Sequence, residues 1–439
     1  MAHQGEQQRD DQQSLSRRTL IKGAAGLGIA AGVGGRLAPS SLVRAAETAN
    51  LQFWDMVWGP PEYIDTGKKL VEQFNEQNPG IKVEYRSTPW NNWYQTFTTA
   101  IGAGTAPDVS TGAAYQSVQF YDQGAVASVD DLVAKLKSAG TLTDFLPGTV
   151  DRLRYDEHYV ALPWAIDIRI PYYRKDLFAA AGVEPPKTWE EFAAAAKALT
   201  KGDQYGFVST GDTLGTHHMY FFMLNNGGGL FTADRQVDLM NERNVEALQF
   251  FSDLVKAKSV HPASAGYVSD DAVKVFSQGK AAMFITNPGF ETRAPEIAEK
   301  IGILEPLTAP HGDKGTISWV NNIMLYTQSK HAEEAKTFLS WWSENLTPLW
   351  TEGHLTQLPV RQSIADDPYF ANNPTLSAIL KNWVPVGKTT GTHADGIFPI
   401  LNEVEGEGVM QTLVQDLLQG KDVMESMKKA ETRMKTIVK

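Results

Sequence analysis

From residue 51 onward the apolar positions switch repeatedly between the period of a strand and the period of a helix. Leu51-Gln52-Phe53-Trp54 reads as a short apolar strand, and Gly59-Pro60-Pro61 ends it. Leu70, Val71 and Phe74 share one helical face, since residues three and four apart are neighbours on a helix. Asn78-Pro79-Gly80 stops that helix, and Ile81-Lys82-Val83-Glu84-Tyr85 alternates as a half-buried strand. A second helix is expected over Trp93 to Ile101, and a third strand begins at Pro107-Asp108-Val109. Strand, helix and strand in this order predict an α/β fold on mainly parallel sheets flanked by helices.

The second half repeats the rhythm. Thr188 and Glu191 form a capping box after Pro185-Pro186, opening a helix that runs to Thr200. Val245, Leu248, Phe251 and Val255 mark another amphipathic helix. Ser269 is expected to cap a helix that ends at Gly279, with a strand at Ala281 to Ile285. His331 to Trp342 and Val409 to Val438 read as the last long helices. Gly215-Thr216-His217-His218 is expected in a loop, and Asn225-Asn226 followed by three glycines in a turn. After residue 50 there is no repeat and no long flexible linker, so two lobes would have to be joined by short crossovers.

Length fits that division, because 439 residues exceed what one small core organises. The start of the chain reads differently. A polar, Gln-rich stretch precedes Ser16-Arg17-Arg18-Thr19-Leu20-Ile21-Lys22, followed by a weakly apolar Gly/Ala run and by Val43-Arg44-Ala45. In that order these predict a twin-arginine export signal over residues 1–45, removed on export. Residues 1–45 hold six Lys/Arg and three Asp/Glu, which leaves 34 basic and 48 acidic residues and a net charge of −14. An acidic chain without a basic block argues against nucleic acid or an anionic membrane as partner. There are no cysteines, which excludes disulfides, thiolate catalysis, zinc–thiolate sites and an N-terminal lipid anchor on Cys. The expected location is therefore the periplasm of a two-membrane bacterium.

Six motifs, in order, carry a resemblance. They are Gly104-Thr105-Ala106-Pro107-Asp108-Val109, Tyr159-Val160-Ala161-Leu162-Pro163-Trp164, Tyr172-Tyr173-Arg174-Lys175-Asp176-Leu177-Phe178, Pro186-Lys187-Thr188-Trp189-Glu190-Glu191, Phe276-Ser277-Gln278-Gly279-Lys280-Ala281-Ala282-Met283 and Leu358-Pro359-Val360-Arg361. With them the chain resembles the family 1 extracellular solute-binding proteins of ABC sugar importers, of the maltodextrin-binding type. The resemblance implies a two-lobed clamshell with a ligand in the cleft between lobes. Residues 46–163 and 319–358 would form lobe 1, and residues 164–318 and 359–439 lobe 2. It also implies a carbohydrate ligand, docking on the transmembrane subunits of an ABC permease, a monomeric protein and no cofactor.

Candidate ligand residues follow from sugar chemistry, which pairs an apolar ring face with a rim of hydroxyls. Asp55 could accept sugar hydroxyls and Trp58 could stack, although both also suit a core and a cap. Gly112, Tyr115 and Gln116 follow the third strand, where a small residue admits a ligand to the backbone. Trp164 and Asp167 lie in the expected crossover. The competing reading for Asp167 is a structural pair with Arg169. His217 could donate to a sugar oxygen, and adjacent histidines without a carboxylate at helical spacing do not suggest a metal. Asn287 and Gly289 occupy a family loop in which Phe290 replaces the usual Trp. Trp319 and Asn321 enter the second crossover strand, and Arg361 follows Pro359, where a salt bridge between lobes is equally consistent.

Phosphate-loop, nucleophile-elbow and zinc-protease motifs are missing, so the sequence reads as a binder rather than an enzyme. Two alternatives stay open. One is an anionic sugar or glycerol-phosphate-type ligand held by Arg169, Arg361, His217 and His218. The other is a secreted carbohydrate-active enzyme, since acidic pairs are plentiful.

Overall fold

The computed structural model describes residues 48–394 and 396–438; the expected twin-arginine signal lies outside them. Thirteen strands occur in chain order. They are β1 (Ala49–Met56), β2 (Ile81–Thr88), β3 (Val109–Gly112), β4 (Arg154–Tyr155), β5 (His158–Tyr159), β6 (Leu162–Ile168) and β7 (Ile170–Arg174). β8 (Tyr205–Val208), β9 (Ala281–Thr286), β10 (Ile301–Ile303), β11 (Thr316–Leu325), β12 (Leu358–Pro359) and β13 (Gly387–Lys388) follow. They form a seven-stranded sheet in the order β12-β6-β11-β3-β1-β2, with β13 on β11, a four-stranded sheet β10-β7-β9-β8 and the small hairpin β4-β5.

Both large sheets are mixed rather than mainly parallel. β1 pairs in parallel with β2 and β3, and β8 with β9. β11 runs antiparallel to β3 and to β6, and β7 antiparallel to β9 and β10. The reversal comes from chain routing. β11 returns from the small sheet and can enter the large one only in the opposite sense, between β3 and β6.

The first crossing from the large sheet to the small one is a single residue, Arg169, between Ile168 of β6 and Ile170 of β7. Its backbone N–H donates to Ile317 O (3.2 Å), and its carbonyl accepts from Thr316 Oγ1 (2.6 Å). The outgoing and returning crossings are thus bonded to each other.

Expected helices appear where the apolar stripes place them. The first spans Pro61–Gln77 and buries Leu70, Val71 and Phe74, and another spans Glu242–Lys256. Thr188 caps the Trp189–Ala198 helix by accepting from Glu191 N–H, while the Glu191 carboxylate accepts from Lys187 N–H (2.7 Å). Three expectations change. Ser269 is the first residue of its helix rather than the cap, because its N–H and hydroxyl both donate to Asp212 (2.9 Å each). The C-terminal run is two helices, Val409–Leu418 and Val423–Ile437, broken by Gly420 at φ +76°. The segment around His217 is the helix Thr213–Asn225, not a loop. Asp212 caps it by accepting from Leu214 N–H, and Gly215 is needed because a Cβ there would lie 1.8 Å from Thr210 O.

Candidate functional site

Antiparallel pairing of β6 with β11 sets Trp319 opposite Asp167 and Asn321 opposite Ala165. Directly paired residues share a sheet face, so these side chains emerge together. Trp164 lies three residues from Asp167 and therefore points to the opposite face. The two face opposite ways, and both belong to β6 rather than to the crossover in which they were expected. β6 extends this far because β11 and β12 pair with it on either side.

Around Asp167 and Trp319 the crossing residue gathers a cluster. Arg169 Nη1 donates to Asp167 Oδ1 (2.6 Å), and its Nε donates to His217 Nδ1 (3.1 Å). The guanidinium sits 5.1 Å from the Trp319 ring, and the His217 ring 4.7 Å from it. His217 accepts through Nδ1, so it is the neutral Nε2–H tautomer. Burial and the neighbouring Arg169 charge hold it well below the usual histidine range. Asn287, just beyond β9, donates to Asp167 Oδ1 (3.1 Å) and so ties the small sheet to the large one. His218 is structural, bonded to Ser209 Oγ (2.8 Å) and Ile285 O (2.7 Å).

A second group closes the cluster from the far end of the chain. Tyr115 Oη lies 3.5 Å from Thr390 Oγ1, and Thr390 donates to Glu405 Oε1 (3.3 Å). Glu405 belongs to the short helix Ile400–Gly406. Its carboxyl is raised to about 8 by burial, against the Trp319 indole, the Thr390 hydroxyl and the Arg169 charge, which favour the ionised form. Three buried polar atoms here have no hydrogen-bond partner: Trp319 Nε1, Asn321 Nδ2 and Tyr220 Oη. Buried polar groups in folded proteins are nearly always hydrogen-bonded, so orphans gathered at the junction of two sheets mark a candidate ligand site. Among the described residues no group of three or more His, Asp or Glu side chains could hold a metal ion.

A sequence model of the family described as bacterial extracellular solute-binding protein matches residues 60–345. The chain belongs to that family. A sugar transporter of Arthrobacter chlorophenolicus, solved with bound laminaribiose, is 36% identical with a TM-score of 0.84, over 89% of this chain and 100% of that one. The diacetylchitobiose-binding protein DasA of Streptomyces coelicolor is 26% identical over 67% of this chain and 69% of its own length. Maltose-bound MalE3 of T. maritima, 23% identical with a TM-score of 0.74 over 89% of this chain and 100% of that one, shares the two-lobed fold. Among the described residues no helix is long and apolar enough to cross a membrane.

Within this solute-binding protein the other candidates are placed apart from the Trp319 cluster or serve the frame. Asp55 is fully buried and accepts from Thr111 Oγ1 (2.7 Å), Tyr63 Oη (2.8 Å) and Tyr85 Oη (2.9 Å). Its acceptors are taken by its own sheet and by the Pro61–Gln77 helix. Trp58 donates to Thr111 Oγ1 (3.1 Å) and packs edge-on against Trp90 (4.8 Å) and Trp164 (5.1 Å), which leaves it 5% exposed. Gly112 makes room for its own neighbours, since a Cβ there would fall 2.3 Å from Met324 Cε and 2.7 Å from Gln116 Oε1. Gln116 accepts from Ala113 N–H (3.1 Å). Gly289 opens the short helix Phe290–Arg293 at φ +69°.

Arg361 is 2% exposed and donates to Asp144 Oδ2 (3.1 Å) and Ser343 Oγ (2.8 Å), with its guanidinium 4.1 Å from the Phe145 ring. It is a structural ion pair, bonded to none of the residues around Trp319. Tyr220, Thr390 and Glu405 join the site without having been candidates. Glu405 sits between Glu403 and Glu407 and just before Gly406 and Gly408, a pattern that reads as a solvated surface.

Proposed function

We propose that this protein is the substrate-binding component of an ABC importer for a neutral di- or oligosaccharide. The observation that carries the reading is the set of orphaned donors around the Trp319 ring, where the two sheets meet. An indole face with amide and hydroxyl donors at its edge suits a pyranose, which has an apolar face and a polar rim. The relative solved with laminaribiose makes that disaccharide the first probe. Ligand held by one lobe gains contacts from the other on closure, which shifts the population toward the closed form. In this reading residues 46–163 with 319–358 and residues 164–318 with 359–439 move as the two lobes. The twin-arginine segment delivers the protein to the periplasm, where a monomer docks on the permease.

The anionic-ligand alternative lacks its groups. Arg361 and His218 are committed to structural bonds, and Arg169 is paired with Asp167. Calorimetry of the mature protein against a glycan panel led by laminaribiose tests the function. A saturable signal with unchanged sugar recovered afterwards is expected. Silence across the panel, or release of cleavage products, would overturn it.

A further inference from the structure

Arg169 is the single residue between β6 and β7, and it is 5% exposed. The crossing does not need its side chain, because the bonds to Ile317 and Thr316 use only the main chain of residue 169. A buried guanidinium is costly unless its donors are met. Those donors go to two polar side chains from different parts of the molecule. Asp167 is on β6, two residues before the crossing. His217 is on the Thr213–Asn225 helix, which follows β8 and is bonded to β9 through His218.

Each of the two is used through one atom only. Arg169 Nη1 donates to Asp167 Oδ1 (2.6 Å), and Asn287 donates to the same oxygen (3.1 Å). Among the described residues nothing donates to Asp167 Oδ2. Arg169 Nε donates to His217 Nδ1 (3.1 Å), and among the described residues nothing accepts from His217 Nε2. A guanidinium has donors only, so it can bond neither the Nδ1–H tautomer nor an imidazolium. The hydrogen bond therefore fixes the tautomer by geometry. Trp319 joins the arrangement, opposite Asp167 in register, with its ring 5.1 Å from the guanidinium and 4.7 Å from the His217 ring.

We infer that Arg169 is the positioning residue of the site: it holds Asp167 with one acceptor oxygen free and His217 with one N–H free, beside the Trp319 ring, as a matched pair for two hydroxyls of one sugar. The inference rests on the sugar-binding reading above. Arg169 acts through these two side chains rather than on the ligand. One hydroxyl donates to Asp167 Oδ2, and a second accepts from His217 Nε2–H. The Arg169 charge offsets that of Asp167, so the pair offers polarity without net charge, which suits a neutral ligand. Lysine is no substitute, because one ammonium lacks the rigid fork that reaches two partners in different directions. Since Arg169 is also the crossing, the hinge backbone itself sets where the pair stands.

The test joins nitrogen NMR of histidine-labelled protein at pH 7 to calorimetry with laminaribiose. His217→Ala assigns the His217 signal by its disappearance. Native protein is expected to show His217 as the neutral Nε2–H tautomer, with and without sugar. Arg169→Lys keeps a charge beside Asp167 but releases His217. It is expected to lose the single-tautomer signal and to bind laminaribiose about tenfold more weakly. In the His217→Ala background the same exchange should cost less than about twofold, because coupled residues are not additive. Three results would each overturn the positioning role and leave the sugar-binding reading standing. They are a native His217 protonated at Nδ1, an Arg169→Lys protein that keeps the native tautomer or the native affinity, and a full tenfold loss on top of His217→Ala. A native protein that binds no glycan overturns both, and the tautomer readout, which needs no ligand, tells the two failures apart.

Discussion

Two carboxyls, the buried Asp55 and the half-buried Glu405, show how differently one fold treats the same chemistry. Asp55 lies inside the large sheet with three hydroxyls donating to it, and nothing is left for a ligand. Glu405 lies where the two sheets meet, with one long hydrogen bond and several unpartnered donors around it. The first arrangement is complete within the protein and serves stability. The second is incomplete, and it is this incompleteness that makes the junction the proposed binding site. Burial alone would have ranked them the same way, since it raises both carboxyls.

Substitution separates the two. The largest effect is expected at Asp55, where Asp55→Ala strands three donors and opens a small cavity, costing about 4 kcal/mol of stability. Chemical denaturation measures this, and laminaribiose affinity in the folded fraction should stay within about threefold of native. The same carboxyl carries a pH signature. Its folded value of about 6 lies above its unfolded value, so the folded state holds the proton more tightly. Its contribution to stability is fully present below about pH 4 and is lost as pH rises through 6, by on the order of 3 kcal/mol. Native protein should therefore lose more stability than Asp55→Asn between pH 4 and 7. Parallel stability curves for the two would contradict the assignment.

Arg361→Ala comes next, at about 2–3 kcal/mol, because it unpairs Asp144 and empties a packed guanidinium site. Melting should register it while sugar affinity does not change. A large affinity loss would restore the anionic-ligand reading. Trp319→Ala reverses the pattern, with Kd for laminaribiose rising about 30-fold, equivalent to about 2 kcal/mol of stacking and desolvation. The smallest effect is expected from Asn287→Ala, which removes one hydrogen bond between the sheets, worth about 1 kcal/mol. A roughly fivefold weaker Kd, with a more open solution-scattering profile, would follow.

The sequence makes the frame of this contrast readable and hides its centre. Leu70, Val71 and Phe74 announce a helix because one side of it faces water. The helix Thr213–Asn225 announces nothing, since eleven of its thirteen residues are buried and no polar face exists to set a period. His217 consequently reads as a loop residue. Strand direction is equally silent, for nothing in the apolar run of β1 or of the reversed, wholly buried β11 encodes its sense. Trp319 and Asp167 were legible as candidates from the crossovers that the resemblance implies, but their shared face depends on the register Trp319 opposite Asp167, between strands far apart in the chain. Glu405 has no local signal at all, because its environment is made by residues from Tyr115 to Thr390.

The bonds between the two crossings have a mechanical consequence. Arg169 leaves no slack between β6 and β7, and its backbone is fastened at both N–H and C=O to the start of β11. Two loose straps would let the halves slide, tilt and twist independently. Two straps riveted together behave as one axle, and motion reduces to rotation about it through a handful of torsion angles. Little chain entropy changes along that path, since no loop has to be ordered. The guanidinium on the axle touches Asp167 on one side and His217 on the other, so every degree of rotation is felt first at the cluster proposed to hold the sugar.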